Sequence, residues 1–121
     1  MSLTILVVDD DPTTRLLLHT RLKAKGYEVH VADDGDIGLE LAQEIKPNLI
    51  ILDVDMPRMD GYTFISMKNK IQEIKAIPVL ILTAYSETQP IFQMQGASDY
   101  FVKPLDFNAM LERIEMLIGS P

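Results

Sequence analysis

The sequence predicts an α/β fold in which helices cover a buried parallel sheet. Short runs of four or five apolar residues alternate with helical stretches along the chain, and three of the expected helices begin at an aspartate. Strands of a parallel sheet are buried on both faces, so they read as continuous apolar runs. With 121 residues, 47% of them hydrophobic, the chain fits one domain over residues 1–121.

The first half of the chain predicts three strands and two helices. We expect strands at 3–9, 27–32 and 49–54. Asp11 caps the first helix, whose first residue is a proline, and Gly26 ends it. Asp33 or Asp34 caps the second helix, and Pro47 stops it. The residues at helical spacing that predict the buried face of the second helix are Ile37, Leu41 and Ile45.

The second half adds two strands and two clear helices. After a turn over 57–61, the third helix carries Phe64, Met67, Lys68 and Ile71 on one face, and strands follow at 78–83 and 99–103. Asp106 caps a last helix. Its core-facing stripe is Phe107, Met110, Leu111, Ile114, Leu117 and Ile118. Between Thr83 and Tyr100, Pro90 and Gly96 allow two helical turns at most, so a fourth helix there should be short or irregular.

Composition excludes several classes of function. A formal net charge of -7 argues against a domain that binds nucleic acid through its phosphate backbone. The absence of cysteine excludes disulfides and thiolate metal sites and is compatible with the cytoplasm. No apolar run approaches the length of a membrane span. We therefore expect a cytoplasmic domain that contacts neither membrane nor nucleic acid directly.

Polar and charged residues end four of the predicted apolar runs. They are Asp9 and Asp10, Asp53, Thr83, and Lys103. Ligands of such sheets bind at the carboxyl ends of the strands, so we expect these residues to converge. Clustered carboxylates repel one another when ionised, and a hard cation with oxygen ligands, such as Mg²⁺, relieves that repulsion. With a hydroxyl donor at Thr83 and an ammonium group at Lys103, the set suits phosphoryl transfer, which depends on positioning and charge neutralisation.

Over almost its whole length the chain resembles the receiver domain of two-component response regulators. The motifs are VVDDDP at 7–12, LDVDMPRMDG at 52–61, TAY at 83–85 and GASDYFVKP at 96–104. The resemblance implies a flavodoxin-like, doubly wound sheet of five parallel strands in the order 2-1-3-4-5. It also implies a phosphoacceptor signalling domain rather than an enzyme, although such a domain could assist its own phosphorylation and dephosphorylation. The implied partner is a sensor histidine kinase or phosphotransfer protein, while the downstream output is unknown.

The resemblance also implies a role for each site residue. Asp53 corresponds to the phosphoacceptor and Lys103 to the lysine that pairs with the phosphoryl group. Asp10 corresponds to a direct Mg²⁺ ligand and Asp9 to one that acts largely through water. Asp53 and the backbone carbonyl of Asp55 complete the metal site. Thr83 and Tyr100 match the switch pair, whose movement alters the surface around the fourth helix, the last strand and the last helix. Pro104 suggests a cis peptide after Lys103.

Two departures from the family pattern leave alternatives open. The 20 positions from Thr83 to Lys103 are about two fewer than the family usually has, and the shortage falls in the weak fourth helix. Asp55 stands where the family commonly carries a neutral or apolar side chain. A receiver-like interaction module that is never phosphorylated is therefore one alternative. A small aspartyl-phosphate phosphatase of the haloacid dehalogenase kind is another, opposed by Pro57 and by the short chain.

Overall fold

The apolar runs form five strands, and the described part of the chain also forms four helices between and after them. The computed structural model describes residues 2–54, 61–84 and 97–121. The strands are Thr4–Val8 (β1), Glu28–Ala32 (β2), Leu49–Asp53 (β3), Val79–Thr83 (β4) and Asp99–Val102 (β5). The helices are Pro12–Ala24 (α1), Gly35–Ile45 (α2), Gly61–Asn69 (α3) and Phe107–Ile118 (α4). The described elements therefore agree with the predicted ones to within a residue or two at their ends.

All five strands are parallel and lie in the order β2-β1-β3-β4-β5, as predicted. The three inner strands are almost completely buried, which explains why they read as unbroken apolar runs. Of the turn predicted at 57–61, residues 57–60 lie outside the described residues and Gly61 begins α3, and the short helix predicted after Thr83 also falls largely outside them.

Two hydrophobic layers cover the sheet, one on each face. The first layer contains Leu18 and Leu22 of α1 together with Phe107, Met110 and Ile114 of α4. The second contains Leu39 and Ala42 of α2, Phe64 and Ile65 of α3, and Ile74 from the segment after α3, packed on alternate strand positions. The stripe predicted for the last helix is confirmed, because all six of its residues belong to the first layer.

Aspartates cap three helices, and two of the caps lie at the expected residue. Asp11 accepts from Thr13 N–H, and Asp106 accepts from Ala109 N–H. For α2, the structure selects Asp34 over Asp33, since its side chain accepts from Ile37 N–H. Gly26 follows the end of α1 with φ +99°, a left-handed conformation that glycine adopts without strain.

The predicted buried face of α2 is wrong at Ile37, whereas Leu41 and Ile45 are half-buried and pack against the second layer as predicted. Ile37 is 44% exposed, whereas Gly35, Gly38, Leu39 and Ala42 are buried. The small residues let the helix lie close to β1: a Cβ at Gly38 would come within 2.9 Å of a Val8 methyl group. The packed face of α2 therefore combines small residues that allow close approach with the apolar side chain of Leu39.

The third helix also differs from its prediction. Met67 is 43% exposed, and Ile71 lies beyond the end of the helix at Asn69. Lys68 is buried, as its predicted position required, and its ammonium group donates to the carbonyl oxygen of Lys75 at 2.8 Å. Burial lowers the pKa of Lys68, and this hydrogen bond gives its buried ammonium group a polar partner.

The segment after α4 folds back against the turn between α1 and β2. Tyr27 donates its hydroxyl hydrogen to the carbonyl oxygen of Gly119 at 2.8 Å. A Cβ at Gly26 would lie 3.1 Å from Pro121, so the two residues are in near contact. The end of α4 is thus fixed at the amino-terminal edge of the sheet. None of the described helices is both long and apolar enough to span a membrane.

Candidate functional site

The sheet itself positions the candidate residues at its carboxyl edge. Asp53 is the last residue of β3, while Asp9 and Lys103 each follow a strand by one residue. Sheet hydrogen bonds continue past the strand ends, from Asp9 N–H to Ala32 O at 3.1 Å and from Lys103 N–H to Thr83 O at 2.8 Å. These backbones are therefore held by the sheet rather than by loops.

Side-chain alternation separates the candidate residues into two groups. Asp9, Asp53 and Lys103 continue the strand positions that face α1 and α4, because side chains repeat every second residue. The preceding residues of those series, Ile5, Val7, Leu49, Ile51 and Phe101, pack in that layer. Thr83 instead follows Val79 and Ile81 on the other face, and Tyr100 packs against the same layer as those two residues. The predicted switch pair therefore shares one face, opposite the charged residues.

A lysine and three carboxylates meet at the edge. Lys103 Nζ lies 3.2 Å from Asp9 Oδ2 and 3.5 Å from Asp53 Oδ2. Asp9 is fully buried and Asp53 is 3% exposed, whereas Asp10 lies at the exposed rim. One carboxylate oxygen from each of Asp9, Asp10 and Asp53 lies within 4.8 Å of the others. The three carboxylates therefore offer oxygen ligands, with Asp10 on the solvent side of the cluster and Asp9 and Asp53 on the buried side.

The charges of the cluster raise the pKa of both Asp10 and Lys103. Burial raises the pKa of the Asp10 carboxyl group, and the neighbouring negative charge of Asp53 raises it further. For Lys103, burial lowers the pKa, but attraction to Asp53 and Asp9 outweighs burial and raises it above its ordinary value. The lysine therefore stays charged, while the carboxylates keep an excess of negative charge that this one ammonium group does not neutralise.

A hard cation fits this donor set. Among the described residues, the buried atom Asp9 Oδ2 has no hydrogen bond of good geometry, although the Lys103 ammonium group lies at ion-pair distance. Its partner atom, Asp9 Oδ1, accepts from Asp11 N–H at 2.8 Å. Crowded carboxylate oxygens are typical of a site that takes up Mg²⁺. The residues that could hold the ion are Asp9, Asp10 and Asp53.

The structure thus brings together Asp9, Asp10, Asp53 and Lys103, and it buries Thr83 at the end of the neighbouring strand. The peptide bond between Lys103 and Pro104 is cis, as expected. Asp55, with its predicted carbonyl ligand, lies outside the described residues. The separate roles of these residues, including the switch role of Thr83 and Tyr100, stay predictions.

One contact at the edge was missed by the sequence analysis. Arg15 Nη1 donates to the backbone carbonyl oxygen of Asp9 at 2.8 Å. Because the acceptor is a backbone atom, no residue pattern marks this contact. The only signal in the sequence is an arginine one turn into a helix that starts beside the acidic pair.

The comparisons with known proteins agree with this geometry. The sequence matches the family described as response regulator receiver domain over residues 5–115. It is 40% identical over 116 residues to the DNA-binding dual master transcriptional regulator RpaA of Synechocystis, covering 94% of this chain and 48% of that protein. It is 36% identical over 118 residues to protein PilH of Pseudomonas aeruginosa, covering 96% of this chain and 98% of that protein. The chain therefore spans about half of the length of RpaA and nearly all of PilH.

Solved structures give the same result. The chemotaxis protein CheY4 of Vibrio cholerae superposes with a TM-score of 0.90 at 31% identity, covering 97% of this chain and 99% of that chain. The response regulator TrrA of Thermotoga maritima, solved in complex with Mg²⁺-BeF, superposes with a TM-score of 0.86 at 33% identity, with the same coverage.

Proposed function

This chain belongs to the family of response regulator receiver domains, and we propose that Asp53 is its phosphoacceptor. The observation that carries the proposal is the position of Asp53 at the end of the central strand, within one cluster with Asp9 and Asp10 and 3.5 Å from Lys103. A receiver domain is a signalling domain rather than an enzyme in the ordinary sense. The donor we propose is a phosphohistidine on a sensor histidine kinase or phosphotransfer protein.

In the proposed reaction, a carboxylate oxygen of Asp53 forms a bond to phosphorus as the phosphorus–nitrogen bond of the phosphohistidine breaks. The imidazole nitrogen keeps the bonding pair and leaves as neutral imidazole if its other nitrogen carries a proton. The product is an aspartyl phosphate. Such a transfer asks the protein for alignment and charge neutralisation, which this edge supplies.

Each neighbour of Asp53 has a separate task in this proposal. Lys103, held by Asp9 and Asp53, places a positive charge where the transferred phosphoryl group arrives. Thr83 can donate its hydroxyl hydrogen to a phosphoryl oxygen. Asp9, Asp10 and Asp53, with the carbonyl of Asp55, would hold Mg²⁺, which when bound supplies positive charge to the phosphoryl oxygens. The same groups would assist transfer from small acyl phosphates and later hydrolysis.

We further propose that phosphorylation is relayed through Thr83 and Tyr100. The two residues belong to adjacent strands and to the same face of the sheet, opposite the charged cluster. A threonine that turns towards the phosphoryl group would vacate space on that face, which the ring of Tyr100 can enter. The acidic domain itself is proposed to bind neither nucleic acid nor membrane and to act in the cytoplasm.

Stoichiometric labelling tests the proposed acceptor. With Mg²⁺ and acetyl phosphate, or with a phosphorylated kinase, the wild-type protein should gain one phosphoryl mass. Asp53→Asn should gain none, whereas Asp33→Asn, which alters an exposed aspartate after β2, should label as the wild type does. Label that persists in Asp53→Asn on the same peptide would show that another residue is the acceptor.

The same experiment separates the alternative functions. A phosphatase would turn over substrate repeatedly without stable stoichiometric label. A receiver-like module that is never phosphorylated would neither label nor turn over, even at saturating Mg²⁺. A single phosphoryl group that resides on Asp53 is the result that only the proposed function predicts.

A further inference from the structure

Arg15 reaches the acidic edge from α1, and among residues 2–54, 61–84 and 97–121 it forms no ion pair with a carboxylate side chain. Its Nη1 atom donates to the backbone carbonyl oxygen of Asp9 at 2.8 Å, and the side chain is half-buried. The contact spans from the first turns of α1 to the end of β1, so it ties the helix to the strand that carries the acidic pair. Neither the fold nor the proposed phosphoryl transfer assigns a task to this arginine.

The carbonyl that Arg15 holds belongs to the peptide unit that joins Asp9 to Asp10. A peptide unit is planar, so fixing its carbonyl oxygen also fixes the direction in which the chain enters Asp10. Every other polar atom of Asp9 has a different partner: its N–H bonds Ala32, Oδ1 accepts from Asp11, and Oδ2 pairs with Lys103. The hydrogen bond from Arg15 therefore occupies the last polar atom of Asp9. It is also the bond that fixes the peptide unit leading to Asp10.

Asp10 needs such a restraint more than its neighbours do. Asp9 and Asp53 are buried in the sheet edge, whereas Asp10 is exposed and has left the strand. Repulsion from Asp53 also favours turning the Asp10 carboxylate away from the cluster. A fixed peptide unit opposes that movement and keeps the three carboxylates within reach of one cation.

We propose that Arg15 is a positioning residue for the cation site. By holding the Asp9–Asp10 peptide unit, it directs the Asp10 carboxylate towards the Mg²⁺ that Asp9 and Asp53 also face. The inference rests on the proposed function only in taking Mg²⁺ as the ion that this edge binds. It requires no contact between Arg15 and the metal or the phosphoryl group.

The direction of the effect distinguishes positioning from electrostatics. If Arg15 acted through its charge alone, it would repel a cation, so its removal should tighten Mg²⁺ binding. If Arg15 positions Asp10, its removal should weaken Mg²⁺ binding. Loss of a group that orients a metal ligand typically costs ten- to a hundred-fold in affinity, and an effect through the backbone should fall near the lower end, at about tenfold.

The experiment is a calorimetric titration of Mg²⁺ into wild-type protein, Arg15→Met and Lys23→Met. Methionine retains an unbranched apolar stem, and Lys23→Met removes a positive charge from an exposed site on the same helix as a matched control. We expect Arg15→Met to raise the Mg²⁺ dissociation constant about tenfold. Lys23→Met should leave the constant unchanged or slightly lower it. Thermal unfolding in a chelator should show both variants folded.

Two results would overturn the inference. Unchanged or tighter Mg²⁺ binding in Arg15→Met shows that the arginine does not position Asp10. The second result comes from adding Arg15→Met to Asp10→Asn. If Arg15→Met weakens Mg²⁺ binding as much in the Asp10→Asn background as in the wild type, Arg15 does not act through the Asp10 carboxylate. If the wild-type protein itself binds no Mg²⁺, the proposed metal site fails instead, and that failure is visible before any variant is compared.

Discussion

Replacing Lys103 with methionine measures how strongly the acidic edge depends on this lysine. The ammonium group lies 3.2 Å from Asp9 and 3.5 Å from Asp53, and both of these carboxylates are buried. Methionine keeps an unbranched stem of similar width and removes the charge. The carboxylates are then left buried without this cation, so we expect a lower free energy of unfolding when Mg²⁺ is absent.

The size of the loss follows from the two distances. At an effective dielectric constant of about 20, each ion pair has a gross attraction of roughly 5 kcal/mol, most of which offsets the cost of burying the charges. Removing one partner of a buried pair costs about 3–5 kcal/mol, and the Lys103 side chain is 25% exposed, so the lower end applies. In a domain of this size, about 3 kcal/mol corresponds to a fall of roughly 10 °C in melting temperature.

The assay is thermal unfolding in a chelator and across a Mg²⁺ titration. The cation should recover more stability in Lys103→Met than in the wild type, because the variant presents more uncompensated negative charge and a ligand of the folded state stabilises it by mass action. Lys70→Met, at an exposed position after α3, is the matched control and should melt as the wild type does. A variant that melts within about 2 °C of the wild type in chelator would refute the electrostatic reasoning.

Three further predictions concern the other charges. Without Mg²⁺, Asp10→Asn should melt above the wild type, and it should lose most of the rise that Mg²⁺ gives. Because the folded state raises the pKa of Asp10, the extra stability of Asp10→Asn should be absent well below pH 3.8 and should grow as the pH rises through that raised pKa. Thermal unfolding of both proteins at each pH measures this difference. The pKa of Lys103 is raised as well, so its contribution is complete below pH 10.5 and is lost as the pH rises through its folded value. Denaturant titrations of wild type and Lys103→Met should therefore converge in strong alkali, and a constant difference would count against the ion pairs. Asp55→Asn should accept phosphate faster at fixed Mg²⁺, since it removes a negative charge expected beside the phosphoryl group. If that variant instead needs more Mg²⁺ and labels no faster, Asp55 is an auxiliary metal ligand.

Much of the fold could be predicted because the signals are local. Apolar runs mark the buried strands, and the aspartates at the starts of α1, α2 and α4 mark the helix ends by side-chain capping. The convergence of Asp9, Asp53 and Lys103 also follows from the sequence, since parallel strands bring their carboxyl ends to one edge.

What the sequence analysis missed depends on distances between elements. Gly38 gives no hydrophobic signal, yet its lack of a side chain lets α2 approach β1, and the neighbouring Ile37 is exposed. Arg15 was not identified because a side chain that binds a backbone carbonyl needs no partner of a particular type. Neither effect has a periodicity that the sequence alone could reveal.

The fold-back after α4 determines where anything joined to this domain would begin. The bond from Tyr27 holds Gly119 at the amino-terminal edge of the sheet, where Pro121 lies beside Gly26. Strands of five residues separate that edge from Asp53 by about 16 Å. A reporter fused after Pro121 would therefore leave the acidic edge open to a phosphodonor. A module attached there could respond to a change at Asp53 only if a movement is transmitted along the length of the strands. Removing the Tyr27 hydroxyl, and with it the hydrogen bond to Gly119, would test that route.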